Sequence, residues 1–194
     1  MTVISKETLW DGKFLRTVLV RYSLPGSPDV VREWEAMERV GCAGIAAIVP
    51  ITDRDEVVLI RQFRPPIGGF VVELPAGLCE QGEDLESAAQ RELIQETGYA
   101  AGSLHFLAEG PMSPGASSEI LSVFAASGLS YVGVRDRDET EEIEVLKVPL
   151  RTLNDKLAEM HGQGDHIDLK VYGLVELAKD FLQRGKRSSG SSGD

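Results

Sequence analysis

Apolar residues, many of them β-branched or aromatic, are interleaved with polar ones through GKFLRTVLVRYSL (12–24) and DVVREWEAMERVG (29–41), the make-up of strands. PGSPD between them supplies the proline and glycine of a turn, which predicts a hairpin ahead of the main core. AGIAAIVPIT (43–52) and EVVLIRQFRPP (56–66) are denser in Ile and Val, are joined by the polar DRD, and read as more deeply buried strands. GFVVELPAG (69–77) adds a strand that ends at Pro75. From Asp84 the pattern turns helical: Leu85, Ala88, Ala89 and Leu93 fall on one helical face, and Gly98 is placed to end the helix with a left-handed residue. SLHFLAEG, SSEILSVFAAS and EEIEVLKVPL return to strand, and LRTLNDKLAEM and DLKVYGLVELAKDFLQR to helix. The Gly/Ser-rich GKRSSGSSGD has the composition of a disordered tail. The pattern divides the chain into an N-terminal hairpin region (1–40), a main α/β domain (41–184) and the tail (185–194), with no internal repeat.

Charge narrows the partners. With 20 Lys and Arg against 31 Asp and Glu, the net charge is −11 over 194 residues, which gives no general attraction to nucleic acid or to an anionic membrane. An anionic ligand then needs local cations or a metal. No apolar run reaches the roughly 18 residues of a membrane span, and the N-terminus lacks the basic-then-apolar order of a signal peptide, so a cytoplasmic protein is expected. Cys42 and Cys79 form no disulfide framework, and His105, His161 and His166 have no metal-ligand spacing.

The unusual chemistry lies in GLCEQGEDLESAAQRELIQETGY (77–99). On a helix, Glu92 and Glu96 share a face one turn apart, with Gln95 beside them. Two carboxylates that converge repel each other, and a hard divalent cation bound through oxygen is the natural counter-charge, Mg²⁺ first, with Mn²⁺ as a substitute. The loop before the helix can bring the backbone carbonyl of Ala76 to the same ion.

The spacing of Gly77, Glu83, Arg91, Glu92, Leu93, Glu96, Gly98 and Tyr99 resembles the signature of the Nudix hydrolases, with Gln95 standing where the usual pattern has a glutamate. That resemblance implies a mixed-sheet α/β/α sandwich and metal-dependent cleavage of a nucleoside diphosphate linked to another group. It implies that Glu83 pairs with Arg91 to hold the helix, and that Glu92, Glu96 and the Ala76 carbonyl coordinate metal, with Gln95 at the cluster. Outside the signature, RQFRPPIGGFVVELPAG and Pro114 in SPGASSE are similar to the ADP-ribose and ADP-sugar pyrophosphatases of the family. Proteins of that branch exchange a small N-terminal antiparallel β domain across a homodimer and stack adenine on aromatic rings, for which Phe14 and Trp34 are the matching positions. Arg64 and Arg39 match diphosphate or substrate contacts, which suits the two-pronged guanidinium. Glu73 is a further carboxylate near the metals, and Glu141 matches the general base, with Glu139 and Glu142 as rivals. The expected reaction is hydrolysis of ADP-ribose or a related ADP-sugar to AMP and a sugar phosphate. GDP-mannose as substrate, or a domain that binds ADP-ribose and cleaves it weakly because of Gln95, are the alternatives. An RNA-end hydrolase is disfavoured by the acidic charge.

Overall fold

The computed structural model describes residues 1–135 and 142–189. Its first three strands, β1 (Thr2–Asp11), β2 (Leu15–Leu24) and β3 (Ser27–Arg39), form an antiparallel sheet in chain order. The hairpin expected from the sequence is β2–β3, closed at Leu24 opposite Ser27. The third strand, β1, corrects that reading. Its pairing with β2 shifts register between Val3 and Ser5 and again between Thr8 and Trp10, so the period of two is reset twice and leaves no alternation to read. All of β1 is exposed, and no buried face imposes a pattern either.

The main domain follows with β4 (Gly44–Pro50), β5 (Glu56–Arg64), β6 (Gly69–Glu73), β7 (Ala76–Cys79), α1 (Leu85–Thr97), β8 (Tyr99–Ala100), β9 (Ser103–Pro111), β10 (Ile120–Ser127), β11 (Ser130–Tyr131), β12 (Ile143–Pro149), α2 (Leu153–Gly162), β13 (His166–Ile167) and α3 (Lys170–Ser189). Two four-stranded sheets have the orders β7-β4-β10-β9 and β12-β5-β6-β13, and each is mixed because β10 runs parallel to β4 and β13 parallel to β6. Period-two alternation along β4 splits its side chains between two layers. Ala46 and Ile48 pack under α1 with Ala88, Ala89 and Leu93, while Ile45, Ala47 and Val49 face the second sheet and α3, among Leu59, Val72 and Val175. Helices on both sides of mixed sheet give the α/β/α arrangement expected, with the antiparallel N-terminal sheet added to it.

The stretch 69–77 is not one strand. β6 stops at Glu73 in one sheet and β7 begins at Ala76 in the other, with Pro75, which has no N–H to donate, at the crossing. The Pro75 carbonyl still accepts from Ile48 N, 2.9 Å away. This crossing brings the end of β6 and the start of β7 to one place, where the candidate site lies. α3 continues to Ser189, into the segment whose composition reads as a tail. Among the described residues no helix is long and apolar enough to cross a membrane.

Candidate active site

α1 is fixed at both ends by residues suited to the task. The Asp84 carboxylate caps the first turn, accepting from Ser87 N at 2.9 Å and Ser87 Oγ at 2.7 Å. Gly98 closes the last turn at φ 76°, donating to Ile94 O, and a Cβ there would fall 2.7 Å from the Tyr131 ring. Between these caps the helix carries Arg91, Glu92, Gln95 and Glu96 towards β7. Gly77 lets β7 pass over them: a Cβ at Gly77 would lie 1.9 Å from the Glu92 carboxyl carbon.

Arg91 is the hub. Its Nε and Nη2 donate to the two oxygens of Glu83, each at 2.9 Å, and Nη2 also reaches the Leu78 carbonyl at 2.9 Å. Nη1 donates to Glu92 Oε1 at 2.6 Å and to Gln95 Oε1 at 2.9 Å. The bidentate bond from Arg91, helped by the Glu80 N–H at 3.0 Å, holds the Glu83 carboxyl below the usual carboxylate range. The same contacts, Glu83 first, raise the already basic Arg91 further. Glu96 is only 5% exposed and accepts from Ala76 N at 2.9 Å, which pins the start of β7 to the helix. Burial pushes the neighbouring Cys79 thiol up, and that thiol donates to the Glu83 carbonyl at 3.0 Å.

A cavity of about 660 Å³ opens above this helix face and gathers residues that are far apart in sequence. Glu92, Glu96 and Ala76 line it together with Arg64, Glu73 and Arg39. Arg64 Nε donates to Glu73 Oε1 at 2.7 Å, and Gln62 Nε2 donates to the same oxygen at 3.2 Å. Arg39, from the end of β3, donates from Nε to Glu119 Oε1 at 2.8 Å. Glu119, Asp168 and Lys170 also line the cavity, and the sequence reading missed all three. Each is a single charged residue in an unremarkable polar context, and topology alone brings it here. Asp168 arrives because β13 pairs with β6, with Asp168 N donating to Val72 O at 3.0 Å.

Other candidate residues lie apart from the cavity lining. Gln95 turns its amide oxygen to Arg91, and Glu83 is held on the far side of the same guanidinium. Phe14, in the turn between β1 and β2, and Trp34, on β3, are 64% and 51% exposed. The Lys13 ammonium lies 4.8 Å from the Phe14 ring centroid. Trp34 Nε1 donates to the Gly115 carbonyl at 3.0 Å, next to the exposed Pro114, and Met37 N donates to Ala116 O at 2.8 Å, so β3 rests on that loop. Glu139 and Glu141 lie outside the described residues. Glu142 is exposed and precedes Ile143, which pairs with Gln62 near the end of β5 that carries Arg64.

Carboxylates of Glu73, Glu92 and Glu96, with Ala76 beside them, give the cavity a set of hard oxygen donors and an excess of negative charge, which fits a hard divalent cation. No three His, Cys, Asp or Glu side chains among the described residues are already grouped as a metal cage. Arg91 draws Glu92 and the Ala76 amide draws Glu96.

Comparison with known proteins points the same way. Residues 43–167 match the family model of the NUDIX domain. The chain is 37% identical over 185 residues to an ADP-ribose pyrophosphatase of Bacillus subtilis (strain 168), covering 94% of this chain and 96% of that protein. It is 31% identical over 184 residues to an ADP-sugar pyrophosphatase of Mus musculus, covering 88% and 84%. A crystal structure of an ADP compounds hydrolase superposes with a TM-score of 0.78 at 25% identity, covering 96% of both chains.

Proposed function

The chain belongs to the Nudix family, and on that premise we propose that it hydrolyses ADP-ribose, or a related ADP-sugar, to AMP and a sugar phosphate. The observation that carries this reading is the single cavity in which the carboxylates of α1 meet two arginines from other elements, Arg64 of β5 and Arg39 of β3. Carboxylates alone would repel a diphosphate, and arginines alone would bind it without activating water. Together they suit a nucleotide substrate that arrives with a cation.

Glu92, Glu96, the Ala76 carbonyl and Glu73 are the residues that would hold the cation, Mg²⁺ or in its place Mn²⁺. A divalent ion bound there lowers the pKa of its water and offsets the charge of the diphosphate. Arg64 and Arg39 donate to the diphosphate oxygens, each guanidinium already oriented by a carboxylate, Glu73 and Glu119. A glutamate of the segment leading into β12 takes the proton of the attacking water. Glu141 is our choice, with Glu139 and Glu142 as the neighbours to test, and the pairing of Ile143 with Gln62 supports it by starting β12 near the arginine. Oxygen bonds to one phosphorus, the bridging P–O bond breaks, and the leaving group departs as a phosphate monoester. Glu83 and Arg91 hold α1 in place beneath these events.

Phe14 and Trp34 stack the adenine, and the N-terminal sheet that carries them pairs with a second copy of the chain in a homodimer. The exposure of Val3, Leu9, Trp10, Phe14 and Trp34 on that sheet supports a partner there. Free thiols at Cys42 and Cys79 are consistent with the cytoplasm as compartment.

The test is a panel of nucleoside diphosphate sugars with Mg²⁺, scored for nucleoside monophosphate release. ADP-ribose and ADP-sugars should release AMP faster than GDP-mannose releases GMP. Faster release from GDP-mannose, or binding of ADP-ribose without AMP release, overturns the assignment.

A further inference from the structure

Four cations line the cavity among the described residues: Arg39, Arg64, Arg91 and Lys170. The first two have been placed on the diphosphate. Arg91 is committed to Glu83, Glu92, Gln95 and the Leu78 carbonyl. Lys170 has no place in that scheme, yet its position is firmly built. Asp168 N is bonded to Val72 O, beside Glu73 at the end of β6. The Asp168 carboxylate then accepts from Lys170 N at 3.0 Å through Oδ1 and from the Lys170 ammonium at 2.6 Å through Oδ2. The ammonium is thus held at the cavity wall by a carboxylate that is itself fixed to the sheet, with the lysine side chain 39% exposed and that of Asp168 18%.

An ammonium has three donors and Asp168 Oδ2 takes one. The remaining two suit phosphate or hydroxyl oxygens. Leu174, one turn further along the same face of α3, also lines the cavity and supplies apolar contact beside the charge. A donor next to apolar surface is the composition of a sugar subsite, where polar hydroxyls and an apolar ring face must both be met.

Resting on the substrate reading above, we infer that Lys170 is a substrate-binding residue for the sugar-phosphate half of the substrate, and that Asp168 positions it. The placement follows from which walls are already assigned. β3 brings Arg39 and belongs to the sheet of Phe14 and Trp34, the adenine end; β5 and α1 bring Arg64, Glu92 and Glu96, the diphosphate centre. The α3 wall with Asp168, Lys170 and Leu174 remains for the group beyond the scissile bond.

Product inhibition separates the two halves. In steady-state hydrolysis of ADP-ribose, Lys170→Met should raise KM by about ten-fold, the effect of losing one charged hydrogen bond, and depress kcat much less. Ribose 5-phosphate should inhibit this variant about ten-fold more weakly than it inhibits the unmodified enzyme, while AMP inhibition shifts by less than about two-fold. Lys170→Arg, which keeps the charge, should recover part of both losses. An unaltered KM and ribose 5-phosphate inhibition in Lys170→Met overturns the inference alone. Equal weakening of AMP and ribose 5-phosphate overturns the placement on the sugar side. Absence of AMP release by the unmodified enzyme overturns the substrate reading and this inference with it.

Discussion

Gln95 and Glu92 share one donor atom, Nη1 of Arg91, so the amide acts on the site through the arginine. A glutamate at 95 would offer Arg91 a charged partner in place of a neutral one, relax the hold of Arg91 on Glu92, and add negative charge beside the cavity. All three effects favour a cation. We expect Gln95→Glu to lower the Mg²⁺ concentration for half-maximal rate by about five-fold, which corresponds to about 1 kcal/mol of added attraction at a partly exposed site. Superimposable metal titrations of the two proteins would mean that the amide serves only to tether Arg91. Glu96 is the contrasting case, because its carboxylate is buried and bonded to the Ala76 N–H. In Glu96→Gln the amide oxygen can still accept that bond, so the fold should be retained while kcat falls by about a hundred-fold or more and is partly restored by high metal. Near-normal kcat would reduce Glu96 to a tie between β7 and α1.

At the level of elements, α1 is held to the loop before it by Glu83 and Arg91, and this clamp titrates. Glu83 has its pKa depressed in the folded protein, so its contribution is fully present above the unfolded value of about 4.3 and is lost as pH falls through the lower folded value. Glu83→Gln should therefore cost about 1.5–3 kcal/mol at neutral pH, the range for a hydrogen bond to a charged group. That deficit should shrink progressively once the pH drops below about 4. Urea denaturation of both proteins at neutral and acid pH measures it, and a deficit that stays constant across the range would remove the clamp from the account.

α1 is also the element most legible in the sequence. Its caps Asp84 and Gly98, its apolar face and the spacing of its carboxylates are all local, and the observed bounds follow from them. Strands with one buried face were legible for the same reason. β1 was not, because two bulges break its period and no burial imposes one. The change of sheet at Pro75 could be read as an end but not as a crossing, since the partner of β7 is chosen by tertiary pairing with β4. The cavity repeats this division. Spacing and resemblance pointed to Glu92, Glu96, Ala76, Arg64, Glu73 and Arg39, which the fold brings to one wall or another of the cavity. Glu119, Asp168 and Lys170 reach it only through pairings β9–β10 and β6–β13, which no local pattern announces.

For the whole molecule, the question is what the N-terminal sheet does beyond supplying Arg39. It buries little of its own surface, with Trp10, Phe14 and Trp34 all more than half exposed, although aromatic rings carry the largest gain from burial. One edge of it is anchored within the chain, through Trp34 Nε1 to the Gly115 carbonyl and Met37 N to the Ala116 carbonyl. The exposed rings are thus held at a fixed position relative to the cavity while remaining open to a second chain and to a flat ligand. If Trp34 stacks the adenine, its contribution is the same in the ground state and the transition state, and Trp34→Ala should raise KM for ADP-ribose by about ten-fold or more, as about 1–3 kcal/mol of stacking implies, with a much smaller change in kcat. Loss of the bond to Gly115 could raise KM as well, by loosening the loop, and Trp34→Phe separates the two causes: it keeps a stacking face and removes the N–H. Stacking predicts that Trp34→Phe stays close to the unmodified enzyme, whereas anchoring predicts that it behaves like Trp34→Ala. Sedimentation completes the test, because a dimer is expected at assay concentrations, and a monomer would remove the second chain from the account of the exposed sheet.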